Sequence, residues 1–330
     1  MKLEQTAMNF LLKHQESHRR TYNFLILMES IMTAAKYIQY YYQIGALSGN
    51  LGKAGVTNVQ GEEVMRMDEI ANHIVMKYLR QSGQVIQAVS EEEVDAINIE
   101  EEESGRYFVY YDPLDGSSNV KHGLPVGFMF AIAKKNLEGA EDFHLRKGRE
   151  YIAAGMFVIP SGIFTLALRN AGTYRFYMDE TMTYVRPEKV TIPGNQKSWE
   201  LSFNASNRNF FDDAVRGWIE GNEPKYAFRY IGALAGDFHR LLSNGGMFMY
   251  PAIVNHPKPE KNRPEGKLRL MYEAAVTAFI AEEAGGAAIN EQGENILDII
   301  PQHRHQRTSL YVGSKPLVEE IRTALKKTTK

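Results

Sequence analysis

An apolar run that ends in a proline turn is the feature that most constrains this chain. Residues 107–111 read Tyr-Phe-Val-Tyr-Tyr, and residues 112–118 continue as Asp-Pro-Leu-Asp-Gly-Ser-Ser. Because proline lacks a backbone N–H and holds the preceding residue extended, we expect a strand that ends at Asp112. Isolated Asp-Pro and Asp-Gly pairs are usually surface turns, but these pairs follow a β-rich run. The sequence therefore places Asp112 at the carboxyl end of a strand.

The same string predicts a site for a cation and an anion. Asp115 follows Asp112 across the turn, so both carboxylates can face one point. Ligand sets made only of oxygen select hard cations such as Mg²⁺ or Mn²⁺. Gly116, Ser117 and Ser118 are small residues at the start of a predicted helix, where backbone N–H groups can bind a phosphate. Together these features are typical of a metal-assisted phosphatase.

Composition limits the classes of partner. The chain has 330 residues, enough for two domains, and a formal net charge of −2. A nearly neutral chain predicts no nucleic-acid partner and no membrane partner. It has no apolar run of about 18 residues, and residues 1–20 do not resemble a signal peptide, so we expect a cytoplasmic protein. Because cysteine is absent, any metal must bind oxygen or imidazole.

Two segments before the string have helical spacing. Apolar residues predict helices over 22–42 and over 61–80. Asp68 falls on the apolar stripe of the second helix, where a carboxylate is costly unless a cation or hydrogen bonds compensate it. Asp68 is therefore a candidate site residue, with a capped structural acid as the alternative. Glu62 lies in the first turn, where the helix dipole favours acids in any case.

Acids follow the ends of two predicted strands. Glu91 and Glu92 come after a strand over 85–90, just as Asp112 comes after the strand over 107–111. Ligand sites in α/β sheets gather beyond the carboxyl ends of strands. We therefore expect these acids to converge on one site.

The remaining pattern predicts a large sheet and then a second α/β unit. β-rich segments between 126 and 184 indicate a large antiparallel or mixed sheet. A boundary near 187–197 divides the chain into domains of residues 1–190 and 191–330. Beyond this boundary the pattern predicts helices over 212–220, 233–242, 274–284 and 316–326, and strands over 247–251, 268–272 and 309–313.

Several segments together resemble the class I fructose-1,6-bisphosphatases, within the lithium-sensitive family of Mg²⁺-dependent phosphatases. The resemblance rests on residues 112–118 and on segments at 57–59, 89–92, 229–232, 245–252, 266–273 and 297–301. It implies an α/β (α+β) chain with the layered αβαβα sugar-phosphatase fold, a large mixed sheet and a smaller C-terminal domain. It further implies hydrolysis of fructose 1,6-bisphosphate to fructose 6-phosphate in gluconeogenesis, by a homotetramer or homodimer.

The resemblance also implies a metal site. Its ligands would hold two or more Mg²⁺ ions, or Mn²⁺, and are Glu91, Asp112, Asp115, Glu273 and the backbone carbonyl of Leu114. On the sequence alone Glu273 could equally be a helix N-cap, since it stands between a predicted strand and an apolar helix. Clustered carboxylates repel one another, and cations make such a cluster stable.

The implied mechanism is in-line attack of a metal-bound water on the 1-phosphate. Asp68 and Glu92 match the family positions that hold and deprotonate this water, with Glu62 beside them. The 1-phosphate would be bound by the amides of Gly116 and Ser117 and neutralised by Arg269.

A second set of residues matches the family's 6-phosphate site. These residues are Asn204, Tyr230, Tyr250, Lys267, and Arg229 from a neighbouring subunit. Core packing is the commoner role of an isolated tyrosine, but the order of these residues around Lys267 favours binding.

Three departures from the family pattern keep alternatives open. Asn207 replaces a tyrosine of the distal pocket, so sedoheptulose 1,7-bisphosphate remains an alternative substrate. Lys121 stands where an acid usually follows the string. Residues 21–25 lack the glycine and the second threonine of the family's AMP loop, so we expect weak or absent inhibition by AMP. A catalytically retired sugar-phosphate-binding protein is the alternative of another class, and the intact acids argue against it.

Overall fold

The structure is a computed structural model of a chain with both α-helices and β-strands, and it describes residues 5–18, 21–45, 53–57, 63–99, 105–135, 144–196 and 199–328. The helices in these ranges are α1 (Ala7–His18), α2 (Tyr22–Gln43), α3 (Arg66–Ser82), α4 (Asp213–Asn222), α5 (Leu234–Asn244), α6 (Ala275–Glu283) and α7 (Lys315–Thr328). The strands are β1 (Lys53–Thr57), β2 (Glu63–Met65), β3 (Val85–Ser90), β4 (Ile97–Asn98), β5 (Tyr107–Asp115), β6 (Val126–Lys134), β7 (Tyr151–Ile159), β8 (Ile163–Leu168), β9 (Gly172–Met178), β10 (Tyr184–Val190), β11 (Glu200–Ser202), β12 (Ala227–Phe228), β13 (Gly246–Tyr250), β14 (Leu268–Arg269), β15 (Ala287–Ile289), β16 (Arg307–Thr308) and β17 (Leu310–Gly313).

The larger sheet has eight strands in the order β10-β9-β8-β7-β6-β5-β3-β4. Neighbouring strands are antiparallel except β3 and β5, which are parallel, so the sheet is mixed as predicted. Its central strands are apolar on both faces, and every residue of β5 is buried. A sheet of this kind needs helices on both faces.

Five layers result from this requirement. Helices α1, α2 and α3 pack on one face of the larger sheet, where Leu27 and Phe164 share a core. Helices α5 and α6 lie between that sheet and a second sheet of order β12-β11-β13-β17-β15, in a core that includes Met156 and Phe248. Helices α4 and α7 cover the outer face of the second sheet. The predicted αβαβα arrangement is confirmed, and the division between residues 190 and 191 stays a prediction.

The central strand β5 does not end at Asp112, and that expectation was wrong. The strand continues through Pro113 to Asp115. Asp112 pairs with Met129 of β6, and Asp115 pairs with Gly127 of the same strand. Two residues of β5 therefore lie between these pairs where β6 has one. Such a bulge leaves one residue outside the hydrogen-bond ladder, which allows a proline inside a central strand.

Two further expectations were wrong in their bounds. Helix α3 begins at Arg66 rather than near residue 61, because strand β2 occupies Glu63–Met65. The predicted strand over 268–272 is extended only at Leu268–Arg269, and the chain then forms a π-helical turn at Leu270–Ala274. Within the described part of the chain, no helix is long and apolar enough to span a membrane.

Candidate active site

A cavity of about 650 Å³ lies where the ends of β3 and β5 meet the start of α5. It is lined by the predicted site residues Asp68, Glu91, Glu92, Asp112, Leu114, Asp115, Gly116, Ser117, Ser118, Asn204, Tyr230, Tyr250, Lys267, Arg269 and Glu273. Glu62 lies outside the described residues. Arg229 is exposed and does not line the cavity, and its guanidinium donates to the carbonyl of Phe228 at 2.8 Å.

Three buried carboxylates form the centre of the site. Ligand oxygens of Asp112, Asp115 and Glu273 all lie within 4.8 Å of one another. Each carboxylate is held by a backbone N–H group. Leu114 donates to Asp112 at 2.8 Å, Ala235 donates to Asp115 at 2.7 Å, and Arg269 donates to Glu273. Because the donors come from β5, α5 and the chain before α6, the fold itself brings these acids together.

Burial and mutual repulsion raise the pKa of each of these acids. Burial, followed by the charges of Glu91, Asp115 and Glu273, raises the pKa of Asp112 well above its usual range. Burial also raises the pKa of Asp115 to about 7, although the N–H of Ala235 opposes the shift. Burial and then Glu91 raise the pKa of Glu273 to about 8. Three charged carboxylates this close together repel one another. A divalent cation bound between them would stabilise their charged forms.

Glu91 and Arg269 lie beside the three acids. A guanidinium nitrogen of Arg269 lies 3.9 Å from a carboxylate oxygen of Glu91, and another donates to the carbonyl of Lys267 at 2.9 Å. The Arg269 side chain is only 2% exposed. The guanidinium of Arg269 opposes part of the rise in the pKa of Glu273, and it supplies positive charge to the cavity.

Asp68 and Glu92 line the cavity from two different elements. Asp68 is a buried residue of α3, and Glu92 is a half-buried residue of the turn after β3. Both acids line the same cavity, and their roles in the reaction stay predictions.

Gly116 makes possible the turn between Asp115 and the small residues Ser117 and Ser118. It has a left-handed conformation with φ of 76°, and a Cβ at this position would lie 2.4 Å from the Cβ of Ala233. Only glycine fits so close to the start of α5. Ser117 then begins a 3-10 helix, so the predicted helix is present in a tighter form.

The second group of predicted ligands lines the same cavity. Asn204 accepts hydrogen bonds from the N–H and the hydroxyl of Ser206, at 3.1 and 2.6 Å. Tyr230 is 42% exposed. Burial of its hydroxyl and the neighbouring Tyr250 raise its pKa. Lys267 is exposed at the cavity wall. A cationic side chain and two phenols are thus available to an anionic group.

Two family models match this chain, the N-terminal domain of fructose-1,6-bisphosphatase over residues 5–185 and its C-terminal domain over residues 193–326. The chain belongs to the fructose-1,6-bisphosphatase family. A class 1 fructose-1,6-bisphosphatase of Syntrophus aciditrophicus is 62% identical over 330 residues, which cover 99% of each chain. A chloroplastic fructose-1,6-bisphosphatase of Triticum aestivum is 35% identical, over 96% of this chain and 80% of its own. The resemblance inferred from the sequence is confirmed.

Solved structures of the family agree in fold. The holo form of Leishmania major fructose-1,6-bisphosphatase matches with a TM-score of 0.89 at 29% identity, over 98% of this chain and 99% of that chain. Its apo form matches with a TM-score of 0.83 at 28% identity and the same coverage. The family is metal-dependent, and the acids of this chain could hold a metal ion.

Sequence reasoning missed several residues that contribute to this cavity. Ala233 and Leu234 line the cavity, and the amide of Ala235 binds Asp115. These contacts use backbone groups, so no side-chain pattern signals them. Asn119 also lines the cavity, and its amide donates to the carbonyls of Pro125 and Ile231 at 3.1 and 3.2 Å. Asn119 directly follows residues 112–118, and this position could have marked it as a candidate site residue.

Two departures from the family pattern, Asn207 and Lys121, are not among the residues that line the cavity. Lys121 is exposed. In the segment that corresponds to the AMP loop, Phe24 and Leu25 are buried and the hydroxyl of Thr21 lies 3.0 Å from that of Tyr107. Weak inhibition by AMP stays a prediction, which titration of AMP into a phosphate-release assay tests.

Proposed function

We propose that this protein hydrolyses the 1-phosphate of fructose 1,6-bisphosphate to give fructose 6-phosphate and phosphate, a step of gluconeogenesis. The observation that carries the proposal is a single cavity lined both by a buried acid cluster and by Tyr230, Tyr250 and Lys267. A bisphosphate needs two anion-binding regions in one cavity. The names of the relatives favour the six-carbon substrate.

The metal ions are proposed to be two or more Mg²⁺ per subunit, with Mn²⁺ as a substitute. Glu91, Asp112, Asp115, Glu273 and the carbonyl of Leu114 would hold them, because hard cations prefer oxygen ligands. The raised pKa values of Asp115 and Glu273 support this assignment, since burial and neighbouring carboxylates outweigh the groups that stabilise the charged forms of the two acids. When bound, the ions would supply charge stabilisation to the entering and leaving oxygens.

The protein's own groups would position and activate the reactants. Asp68 and Glu92 hold the attacking water and accept its proton. Glu62, which lies outside the described residues, stays a predicted third acid. The backbone N–H groups of Gly116, Ser117 and Ser118 bind the 1-phosphate oxygens. Arg269 neutralises the charge that develops there. In-line attack by water requires no covalent enzyme intermediate.

The distal phosphate would be bound by Asn204, Tyr230, Tyr250 and Lys267. Lysine provides the charge, while the amide and the phenols provide directional hydrogen bonds. Binding at this end fixes the sugar, so that the 1-phosphate lies against the acids.

The active form is proposed to be a homodimer or homotetramer. Arg229 is exposed outside its own cavity, so its assigned role in substrate binding requires a neighbouring subunit. Helix α2 also presents a stripe of exposed apolar and aromatic side chains, Tyr22, Ile26, Tyr37 and Tyr40. Patches of this kind mark protein contacts. A cytoplasmic location stays a prediction from the sequence.

The direct test compares initial rates on fructose 1,6-bisphosphate and sedoheptulose 1,7-bisphosphate, with the sugar product identified. We expect the six-carbon substrate to have the higher kcat/KM and to yield fructose 6-phosphate. A preference for the seven-carbon sugar would overturn the substrate assignment. Hydrolysis of neither sugar would favour the retired binding protein.

A further inference from the structure

Asn72 is a buried amide that hydrogen-bonds to three other segments of the chain. It lies on α3, one turn after Asp68, and is 8% exposed. Its carbonyl oxygen accepts the hydroxyl of Ser90 at 2.9 Å and the hydroxyl of Tyr111 at 2.7 Å. Its amide nitrogen donates to the carboxylate of Glu93 at 2.8 Å. One side chain thus links α3 to β3, to β5 and to the turn that follows β3.

The chemistry of the partners fixes the orientation of this amide. A carboxylate only accepts hydrogen bonds, so Glu93 must face the NH₂ group. The oxygen then faces Ser90 and Tyr111, which both have a proton to donate. Ser90 and Tyr111 are register partners on parallel strands, and both are fully buried. A buried hydroxyl left without a hydrogen-bond partner is unfavourable, so Asn72, Ser90 and Tyr111 are held together.

The partners of Asn72 directly precede predicted metal ligands. Ser90 is followed by Glu91, and Tyr111 is followed by Asp112. Successive side chains on a strand point to opposite faces. The hydroxyl of Ser90 also accepts the N–H of Glu92 at 3.2 Å. The bonds of Asn72 therefore fix the backbone from which three acids of the cavity extend.

We propose that Asn72 is a positioning residue of this active site, which sets the relative placement of Glu91, Glu92 and Asp112 for binding the divalent cation. The inference rests on the proposed function, because it assigns Asn72 a role in the same metal-dependent reaction. Groups that orient the ligands of a metal site are typically worth about 10–100-fold in metal affinity or activity.

A charge-conserving exchange tests the proposal. Asn72→Asp keeps an acceptor for both hydroxyls but places a second carboxylate against Glu93. Glu93→Gln alone keeps an acceptor for the amide of Asn72. In the double variant the introduced amide donates to the introduced carboxylate, so the hydrogen bond is restored with reversed polarity and unchanged total charge. The readouts are Mn²⁺ binding by electron paramagnetic resonance, kcat and KM.

We expect Asn72→Asp to weaken Mn²⁺ binding and to lower kcat by roughly 10–100-fold, with little change in KM. Glu93→Gln should resemble the wild type, and the double variant should recover most of the loss. The matched control is Asn98→Asp, because Asn98 is an exposed amide that accepts from Gln87 at 2.8 Å on the edge of the same sheet. This control should leave all three readouts unchanged.

Two results would overturn the role of Asn72. One is Mn²⁺ affinity and kcat of Asn72→Asp close to those of the wild type, and the other is a double variant as impaired as the single one. If Asn72→Asp does not fold, Tyr111→Phe decides, because it removes one bond to the amide and keeps the ring. Unchanged kcat and Mn²⁺ affinity in Tyr111→Phe would contradict the proposal. A wild type that neither binds Mn²⁺ nor hydrolyses the bisphosphate would instead refute the proposed function.

Discussion

Asp115 accepts the backbone N–H of Ala235 at 2.7 Å, although the two residues lie 120 positions apart. Ala235 is in the first turn of α5, the helix between the two sheets. In the same region, Asp237 accepts the N–H groups of Ile231 and Gly232 at 3.0 to 3.1 Å. The start of α5 therefore connects the acid cluster with the segment that carries Tyr230. One helix terminus therefore positions both the proposed metal site and the proposed distal phosphate site of the cavity.

Replacing Asp115 should abolish most activity without unfolding the protein. Asp115→Asn keeps an acceptor for the N–H of Ala235 but removes one charge from the cluster. We expect kcat to fall by roughly a hundredfold or more, since charge stabilisation by the cation is worth several kcal/mol. The metal-free melting temperature should stay equal or rise, because repulsion is relieved. Asp213→Asn, at an exposed residue of α4, is the control. A near-normal rate in Asp115→Asn would contradict the assignment.

Glu92 and Glu93 offer a matched pair of adjacent acids. Glu92 lines the cavity, whereas the carboxylate of Glu93 accepts from Asn72. If Glu92 takes the proton of the attacking water, Glu92→Gln should lower kcat by roughly 10²–10⁴-fold with KM little changed. Glu93→Gln should stay near the wild-type rate. Steady-state kinetics of both variants provide the check, and equal losses would rule out a specific role for Glu92.

Lys267 should contribute to substrate binding more than to the chemical step. Removing a charged hydrogen bond costs about 1.5–3 kcal/mol, so Lys267→Ala should raise KM by roughly 10–100-fold. The effect on kcat should be smaller, because the distal phosphate does not react. Lys261 is an exposed lysine that is not among the residues lining the cavity, so Lys261→Ala should change neither KM nor kcat. A loss confined to kcat would show that Lys267 acts at the reacting phosphate.

The stability of the metal-free protein should fall as the pH rises. Asp115 and Glu273 have folded-state pKa values of about 7 and about 8, above those of the unfolded chain. At pH values between the unfolded-state and the folded-state pKa values, the folded protein binds more protons than the unfolded chain. The free energy of unfolding therefore decreases from about pH 5 to pH 8. Mg²⁺ should raise the melting temperature more at pH 8 than at pH 6.

Melting curves of the wild type and of Asp115→Asn, with and without Mg²⁺, test this dependence. The variant should show a flatter metal-free profile, because one of the titrating acids is gone. A stabilisation by Mg²⁺ that is the same at both pH values would be incompatible with protons and cations competing for these carboxylates.

Elements with a clear hydrophobic period were predictable from the sequence. Strand β3 has the expected bounds, and α2 differs from its expected end by one residue. The turn at Leu270–Ala274 was not predictable, because an apolar run that is buried on all sides fits a strand and a helix equally well. The continuation of β5 past Pro113 depends on a bulge opposite β6, which only the paired strand reveals.

The acids of the site could be found because carboxylates after strands and on an apolar stripe are unusual. Asp68 is the best example, since its burial at 5% exposure follows directly from its helical position. Ala235 and Asn72 could not be found in this way. The amide of Ala235 acts through the backbone, and Asn72 matters only because β3 and β5 place Ser90 and Tyr111 side by side.

The most direct test of the central claim is phosphate release from fructose 1,6-bisphosphate, measured with Mg²⁺, then with excess chelator, and then with Mg²⁺ restored. We predict that one phosphate is released per sugar with fructose 6-phosphate as product, that the chelator stops the reaction, and that Mg²⁺ restores it. Hydrolysis that continues at full rate in the chelator would contradict the account.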